Sequence, residues 1–476
     1  MKGIAALGIF LLLAAPLPGQ DAAADGERLR KLERAVQQLQ ERNAVLEKEV
    51  EQLKSRREPF APMIPKPPRQ AVAGNDNKVV FSEPVPPVVD VQPGGSEYKL
   101  TLGGYIQANL EGGDVSAFEG RFGAAALKDR FRLRRARISL TGEFAAQFDF
   151  KIEGDFEQSD AAITALRTVD GQTGATTTVT NSNRVEFSGT DIFINWHGLP
   201  EMNLKVGQYK APFGLENLTS DTLIYTIERS LPTGAIVPER QIGAMLWGKP
   251  LSNLQPEYKD FLTYYAGIFN GNGRNFNNND NNEFMYAGRL EVQPYKGRLM
   301  NQEARLKLGA DYFHSRDETG TNISPSLNLR VNADGSLSSY VLSAPDERNA
   351  FSFDASLRVG PFDFIGEYLH ENVDGRRANG TPGFADFTAR GWYLQGSYFF
   401  LPKKLQAVVK WESLDPGQRA DDDIHSITGG LNYYIHSDNV KVMADYVHTW
   451  SDFRAANPQL GDDSFDELIL RLQVIF

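Results

Sequence analysis

Between Tyr98 and Phe476 apolar and polar residues alternate in segment after segment, and this period of two restricts the fold more than any other feature of the chain. In the last segment Leu468, Leu470, Leu472, Val474 and Phe476 alternate with Ile469, Arg471, Gln473 and Ile475. Successive side chains of a strand point to opposite faces, so such a segment has one apolar and one more polar surface. A membrane barrel needs that division in every strand, with lipid outside and a polar lumen inside. One strand carries little weight, and the argument rests on repetition. Sixteen alternating segments can be counted, centred near Tyr105, Ile138, Phe150, Ile192, Leu204, Ala244, Tyr264, Gly288, Leu308, Ala355, Ile365, Leu394, Val408, Gly429, Ala444 and Leu470. Most have about the 9 to 11 residues that a tilted membrane strand requires. The pattern predicts an all-β fold: a 16-stranded antiparallel transmembrane β-barrel over residues 97–476, preceded by a short α-helical coiled coil.

Loop lengths support the same reading. Links after segments 2, 10, 12 and 14 are turn-like, among them Gly360-Pro361, Leu401-Pro402-Lys403-Lys404 and Ser437-Asp438-Asn439, whereas those after odd-numbered segments are mostly long and polar. Short periplasmic turns and long outer loops alternate in this way, and an even strand count puts both ends of the barrel in the periplasm. Aromatic residues near strand ends, such as Trp196, Trp247, Tyr264, Tyr286, Trp392, Tyr398, Phe399, Phe400, Trp411, Tyr433 and Trp450, are candidates for interfacial girdles.

The N-terminal region divides into three. Lys2 and the apolar run Ile4 to Ala15 form the n- and h-regions of a signal peptide over residues 1–24, with cleavage expected near Pro18-Gly19-Gln20 or Ala22 to Ala24. The run is shorter than a membrane-spanning helix of ~20 residues. Residues 27–57 carry a heptad seam of Leu29, Leu32, Val36, Leu39, Asn43, Leu46, Val50 and Leu53. Val at a with Leu at d favours a parallel dimer, and Asn43 at a fixes register. Residues 58–96 hold nine prolines and are expected to be an extended linker. The chain has no Cys, so neither a disulfide nor a lipidated thiol assists it.

If the apolar member of each pair faces lipid, the lumen can be read directly. Ala136, Ile138, Leu140 and Phe144 then point outward, and Arg135, Arg137, Ser139, Thr141 and Glu143 inward. In the next segment Phe148, Phe150, Ile152 and Phe156 point outward, and Asp149, Lys151, Glu153 and Asp155 inward. Lys205, Arg289, Arg305, Lys307, Arg358, Lys410, Lys441 and Arg471 join the lumen, opposed by Asp191, Glu291, Asp311, Asp354, Glu367, Glu412 and Asp445. A wall of both signs is either an ion path with separated stripes or a hydrated, salt-bridged surface. Arg132, Arg134, Arg135 and Arg137 concentrate positive field at one place. Strict alternation sends Arg132 and Arg134 toward lipid, where lipopolysaccharide phosphates could meet them, unless a β-bulge re-aims them.

The third long loop, Gln208 to Arg240, is rich in apolar residues, with Phe213, Leu215, Leu218, Leu223, Ile224, Tyr225, Ile227, Leu231 and Ile236. It is expected to fold into the barrel and narrow it, bringing Glu216, Asp221, Glu228 and Arg229 to the constriction.

The strings Gly207-Gln208-Tyr209-Lys210-Ala211-Pro212-Phe213-Gly214-Leu215-Glu216, Ile227-Glu228-Arg229-Ser230 and Pro238-Glu239-Arg240-Gln241-Ile242-Gly243 carry a family resemblance. So do Leu133-Arg134-Arg135-Ala136-Arg137, Tyr264-Tyr265-Ala266-Gly267-Ile268-Phe269-Asn270-Gly271 and the terminal strand. Over roughly residues 98–476 the chain resembles the phosphate-selective porin O and P family. The resemblance implies a homotrimer of sixteen-stranded barrels with an inward-folded third loop and an arginine-rich wall that conducts small anions, phosphate among them. Arg134 and Arg135 match the wall arginines of the second strand, and Lys210 and Arg229 fall in the third-loop motif. The chain departs from the pattern in that Leu215 to Glu239 contains no Lys and one Arg.

The expected function is therefore passive diffusion of small anions across the bacterial outer membrane, with Arg134, Arg135, Arg137, Lys151, Lys205, Lys210, Arg229 and Arg240 as anion-attracting groups. Glu216, Asp221 and Glu228 are the expected constriction acids. A general diffusion porin of weak selectivity is the alternative, as is an envelope tether contacting the cell wall through the coiled coil in the periplasm. The whole chain carries −11; the first 96 residues, with thirteen basic and twelve acidic side chains, carry +1, which leaves −12 on the remainder. A surface that attracts phosphate or nucleic acid by bulk charge is excluded. The six histidines lack metal-ligand spacing, Gly271-Asn272-Gly273-Arg274 lacks the Gly-Lys-Ser/Thr of a phosphate loop, and no Ser, His and Asp spacing suggests a triad. Neither an enzyme, a metal nor a cofactor is expected; an outer-membrane hydrolase is the remaining enzymatic reading.

Overall fold

In a computed structural model, the structure describes residues 98–114, 129–156, 187–238, 240–254, 258–279, 281–317, 346–375, 386–417, 419–460 and 462–476, with the backbone of 89–91, 329–331 and 337–339. The expected signal peptide, coiled coil and most of the linker lie outside the described residues.

Sixteen strands form the wall: β1 (Tyr98–Gly113), β2 (Arg130–Phe144), β3 (Phe148–Asp155), β4 (Ser188–Leu199), β5 (Met202–Lys210), β6 (Arg240–Gly248), β7 (Leu262–Phe269) and β8 (Met285–Leu299). They continue as β9 (Gln302–Asp317), β10 (Asp346–Val359), β11 (Phe362–Gly375), β12 (Phe387–Leu401), β13 (Leu405–Asp415), β14 (Ile424–His436), β15 (Val440–Ser451) and β16 (Ser464–Ile475). Each strand pairs antiparallel with the next, and β16 returns to β1 with Ile475 opposite Tyr105. Phe476 completes the seam, its N–H donating to the Gly104 carbonyl and its carbonyl accepting from the Gly104 N–H, both at 2.9 Å. Closure leaves the sheet without an open edge, the condition for a sheet in hydrocarbon. Val89–Val91 adds a short antiparallel pairing to β1 at Leu100–Leu102.

The tight turns follow elementary backbone rules. Met300 and Asn301 join β8 to β9 with φ of 51° and 61°, the doubly positive geometry that suits the twist of a two-residue hairpin. Links after even-numbered strands are short except for Lys249 to Phe261 between β6 and β7.

The two faces separate as alternation requires. On β1, Leu102, Ile106 and Leu110 are exposed outward, while Gln107, Asn109 and Glu111 are buried inward. Two aromatics expected in the girdles face the lumen instead. Trp247 lies opposite buried Asn203, and Phe399 opposite buried Gln406, because each sits in the inward phase of its strand. An apolar core lies inside the barrel, where Phe213, Leu231 and Ile236 pack with Phe313, Leu369 and Leu414.

Candidate functional site

The apolar core exists because the segment between β5 and β6 lies within the lumen. It holds two short helices, α1 (Leu215–Leu218) and α2 (Leu231–Ile236). Phe213, Ile227 and Ile236 are wholly buried. Burying each such side chain contributes roughly 1.5–3 kcal/mol, enough to hold a loop that water would otherwise solvate poorly. Ser230 caps α2 by accepting from the Thr233 N–H, and Pro232 occupies its first turn. Pro232 rests over Gly391 of β12, where a side chain would collide with it.

Wall carboxylates grip the loop's backbone donors. Glu367 accepts from the N–H groups of Leu215 (2.7 Å) and Glu216 (3.2 Å), and Asp311 from that of Gly214 (3.0 Å). These amides open α1 and have no partner within the helix. Glu412 accepts from Leu231 N–H at 2.9 Å, and Asp445 from Ile227 N–H at 2.6 Å. Loop carbonyls are held by donors: Lys441 reaches Thr222 O at 2.8 Å, Lys410 reaches Glu228 O at 3.0 Å, and Asn432 reaches Tyr225 O at 2.7 Å. The contacts run from β9 through β16 to β1 and β2, so the loop crosses from its own strands to the opposite wall.

The arginine run of β2 is arranged by a β-bulge. Gln107 pairs with Arg135 and the next residue, Ala108, with Leu133, so Arg134 is the extra residue. Above the bulge the phase reverses. Phe131 and Leu133 point outward, and Arg132 lies opposite Asn109 on the lumenal side. Arg134 also turns inward, donating to both oxygens of Glu228 at 2.8 and 3.0 Å. Of the two alternatives the sequence leaves open, lipid-facing Arg132 and Arg134 or a bulge that re-aims them, the structure has the bulge, and one inserted residue brings all four arginines to the lumen.

Asp221 and Glu228 tie this wall to the loop. Asp221 pairs with Arg137 at 2.7 Å, Arg135 at 3.5 Å and Arg229 of the loop itself. Glu228 pairs with Arg134 at 2.8 Å and Arg471 at 2.7 Å, with Arg135 at 3.9 Å. Burial alone would raise both carboxyls. Arg135, Arg229, Arg137 and Lys210 instead hold Asp221 well below the usual carboxylate range, and Arg134, Arg471 and Arg135 do the same for Glu228.

The other expected residues take different places. Lys151 pairs with Glu153 at 3.0 Å and Asp191 at 3.5 Å, and Arg240 shares Asp191 at 2.7 Å. Lys210 donates to the Asn217 and Thr219 carbonyls at 2.6 and 3.2 Å, at the end of α1. Glu216 accepts from the Ser230 N–H and hydroxyl, both at 2.7 Å, which links the two helices. Lys205 holds its Nζ 4.2 Å from the centroid of the Phe193 ring. Sequence reasoning put Glu367, Glu412 and Asp445 on the wall but missed their grip on the loop, since backbone donors leave no mark in a sequence. Among the described residues no cluster of metal-ligating side chains occurs.

A closed sixteen-stranded barrel with a loop packed inside it defines the porin class of outer-membrane channels. Residues 106–476 match the family model described as phosphate-selective porin O and P, and the chain belongs to that family. It is similar to Porin O of Pseudomonas aeruginosa, at 23% identity over 446 residues, covering 82% of this chain and 91% of that protein. Among solved structures, an anion-selective porin from Comamonas acidovorans superposes with a TM-score of 0.51 at 11% identity, covering 80% of this chain and all of the other. A loop-deleted OmpT of Vibrio cholerae gives a TM-score of 0.49 at 10% identity over 80% of this chain and all of that one. The protein is an outer-membrane β-barrel.

Proposed function

We propose that the protein passes small anions by passive diffusion through a barrel narrowed by the third loop, and that it assembles as a homotrimer, as the family resemblance implies. The observation that carries the reading is the bulge in β2, which places Arg132, Arg134, Arg135 and Arg137 together on the lumenal side beside the loop. On that side Arg471 and Lys151 add positive charge, with Asp155, Asp221 and Glu228 among its counter-charges, whereas the wall opposite carries Asp311, Asp354, Glu367 and Glu412 beside Arg289 and Lys410. Between low-dielectric walls such an asymmetry focuses field on a passing ion. The description of the family, phosphate-selective porin O and P, and that of the Comamonas structure, an anion-selective porin, support the same class of solute.

Phosphate is one such solute, and the selectivity for it is modest. No lysine lies between Leu215 and Glu239, and Lys210 is engaged with loop carbonyls. Asp221 and Glu228 offset much of the arginine charge, which favours a general diffusion porin as the second reading. The test is Arg135→Glu in planar bilayers under a salt gradient. The reversal potential is expected to move toward the cation side relative to the wild type, and an unchanged potential would contradict an anion path along this wall.

A further inference from the structure

On the outer surface of the barrel, the sector from β5 to β9 carries a recess of about 440 Å³ lined by Leu204, Ala244, Leu246, Ala266, Gly288 and Tyr312, among others. The strand register explains it. Ala266 of β7 lies opposite Gly288 of β8, and Leu246 of β6 and Tyr312 of β9 flank this pair in the same cross-strand row. Two small residues between two large ones leave a depression in the outward face. A Cβ added at Gly288 would meet only the Tyr265 carbonyl, at 3.3 Å, so no side chain of the barrel fills the space above it. A void there would forfeit dispersion contacts on one side, which makes the recess a place for an apolar group from outside the chain.

The surroundings decide what that group is. Tyr286 and Tyr312 stand exposed toward the outer end of this sector, and Tyr264 and Tyr295 toward its periplasmic end. Aromatic residues at both ends mark the two headgroup levels, so the recess lies in the hydrocarbon between them and faces lipid. The outward positions from Leu100 of β1 to Ile152 of β3 hold Leu, Ile, Ala, Gly and Phe, with no Tyr or Trp among the described residues, so a second copy would be received there instead. The outer rim of the recess is polar. The Tyr312 hydroxyl donates to Asn349 Oδ1 at 3.0 Å, and His314 Nδ1 lies 2.9 Å from the same oxygen. Hydroxyl, imidazole and amide groups suit the sugar hydroxyls and amides of a glycolipid headgroup. Toward the periplasm the next outward positions on β7 and β8 are the larger Tyr264 and Leu290, so an acyl chain enters from the outer side.

We propose that this recess binds one acyl chain of an outer-leaflet glycolipid, whose headgroup meets Tyr312, His314 and Asn349. The full-length protein, purified in a mild detergent, is titrated with lipid A or with dioleoyl phosphatidylethanolamine, and the lipids retained per barrel are counted by native mass spectrometry. The wild type is expected to retain lipid A at lower concentrations than phosphatidylethanolamine. Gly288→Leu and Ala266→Phe fill the recess and are each expected to raise the lipid A concentration needed for the same occupancy roughly three- to tenfold. Gly396→Leu adds the same bulk to the outward face of β12, where a Cβ meets only the Phe364 ring at 3.8 Å, and is expected to leave retention unchanged. Tyr312→Phe is expected to weaken lipid A retention while leaving that of phosphatidylethanolamine as it was. If one recess variant fails to fold, the other carries the test. No retained lipid A in the wild type, equal retention in wild type and recess variants, or an equal loss in Gly396→Leu would mean annular lipid only and would overturn the site. Tighter retention of phosphatidylethanolamine than of lipid A would overturn the glycolipid assignment.

Discussion

At the residue scale, Glu228 concentrates the most consequence. Its carboxylate faces Arg134, Arg471 and Arg135, and Glu228→Ala would leave three guanidinium groups facing one another without it. Removing one partner of a buried pair costs roughly 3–5 kcal/mol, so heat-induced unfolding in detergent should occur at a lower temperature than in the wild type. An unchanged transition would mean that the knot is more hydrated than its geometry suggests. Asp221 supports a test of charge state. Its folded carboxyl lies well below the ordinary value, so its contribution is fully present above the unfolded value of about 4 and is lost only as pH falls through the depressed one. Asp221→Asn is expected to increase anion preference, and the difference from wild type should stay flat from pH 8 to pH 5. Reversal potentials at stepped pH check this, and a difference that closes between pH 7 and 5 would contradict it. The inward aim of Arg135 and Arg137 was legible from alternation alone. That of Arg134 was not, because a bulge depends on the register of β1 against β2, which one strand's sequence does not contain.

At the scale of elements, the third loop is held by complementary sets of groups. Wall carboxylates take its amides and wall cations and amides take its carbonyls, while apolar side chains fill the space between. The loop's burial could be anticipated from its composition, since Phe213, Ile227, Leu231 and Ile236 are poorly suited to water. The anchors could not, because any lumenal acid is as good a candidate as another until the loop's path is known. Trp247 shows a signal that was present and outweighed: its parity with Met245 marks it lumenal, yet nearness to a strand end marked it as girdle. Replacing residues 215–236 by a short Gly-Ser linker should raise single-channel conductance and reduce ion selectivity. Conductance equal to the wild type would show that the narrowest point lies elsewhere.

For the whole molecule, the barrel was the most legible feature, because lipid outside and water inside impose one rule on all sixteen strands. The centres read from alternation fall within the strands observed, from Tyr105 in β1 to Leu470 in β16. Net charge was least informative: −12 over the region beyond residue 96 coexists with an arginine-rich wall, and local field governs an ion at the constriction. The measurement that tests the central claim most directly is the reversal potential of the purified full-length protein in a planar bilayer under a potassium chloride gradient, repeated with phosphate. The account predicts a potential on the chloride side, with partial block of the current by phosphate. A potential on the potassium side would contradict it, and would mean that the acids of the far wall, rather than the arginines of β2, select the ions that pass.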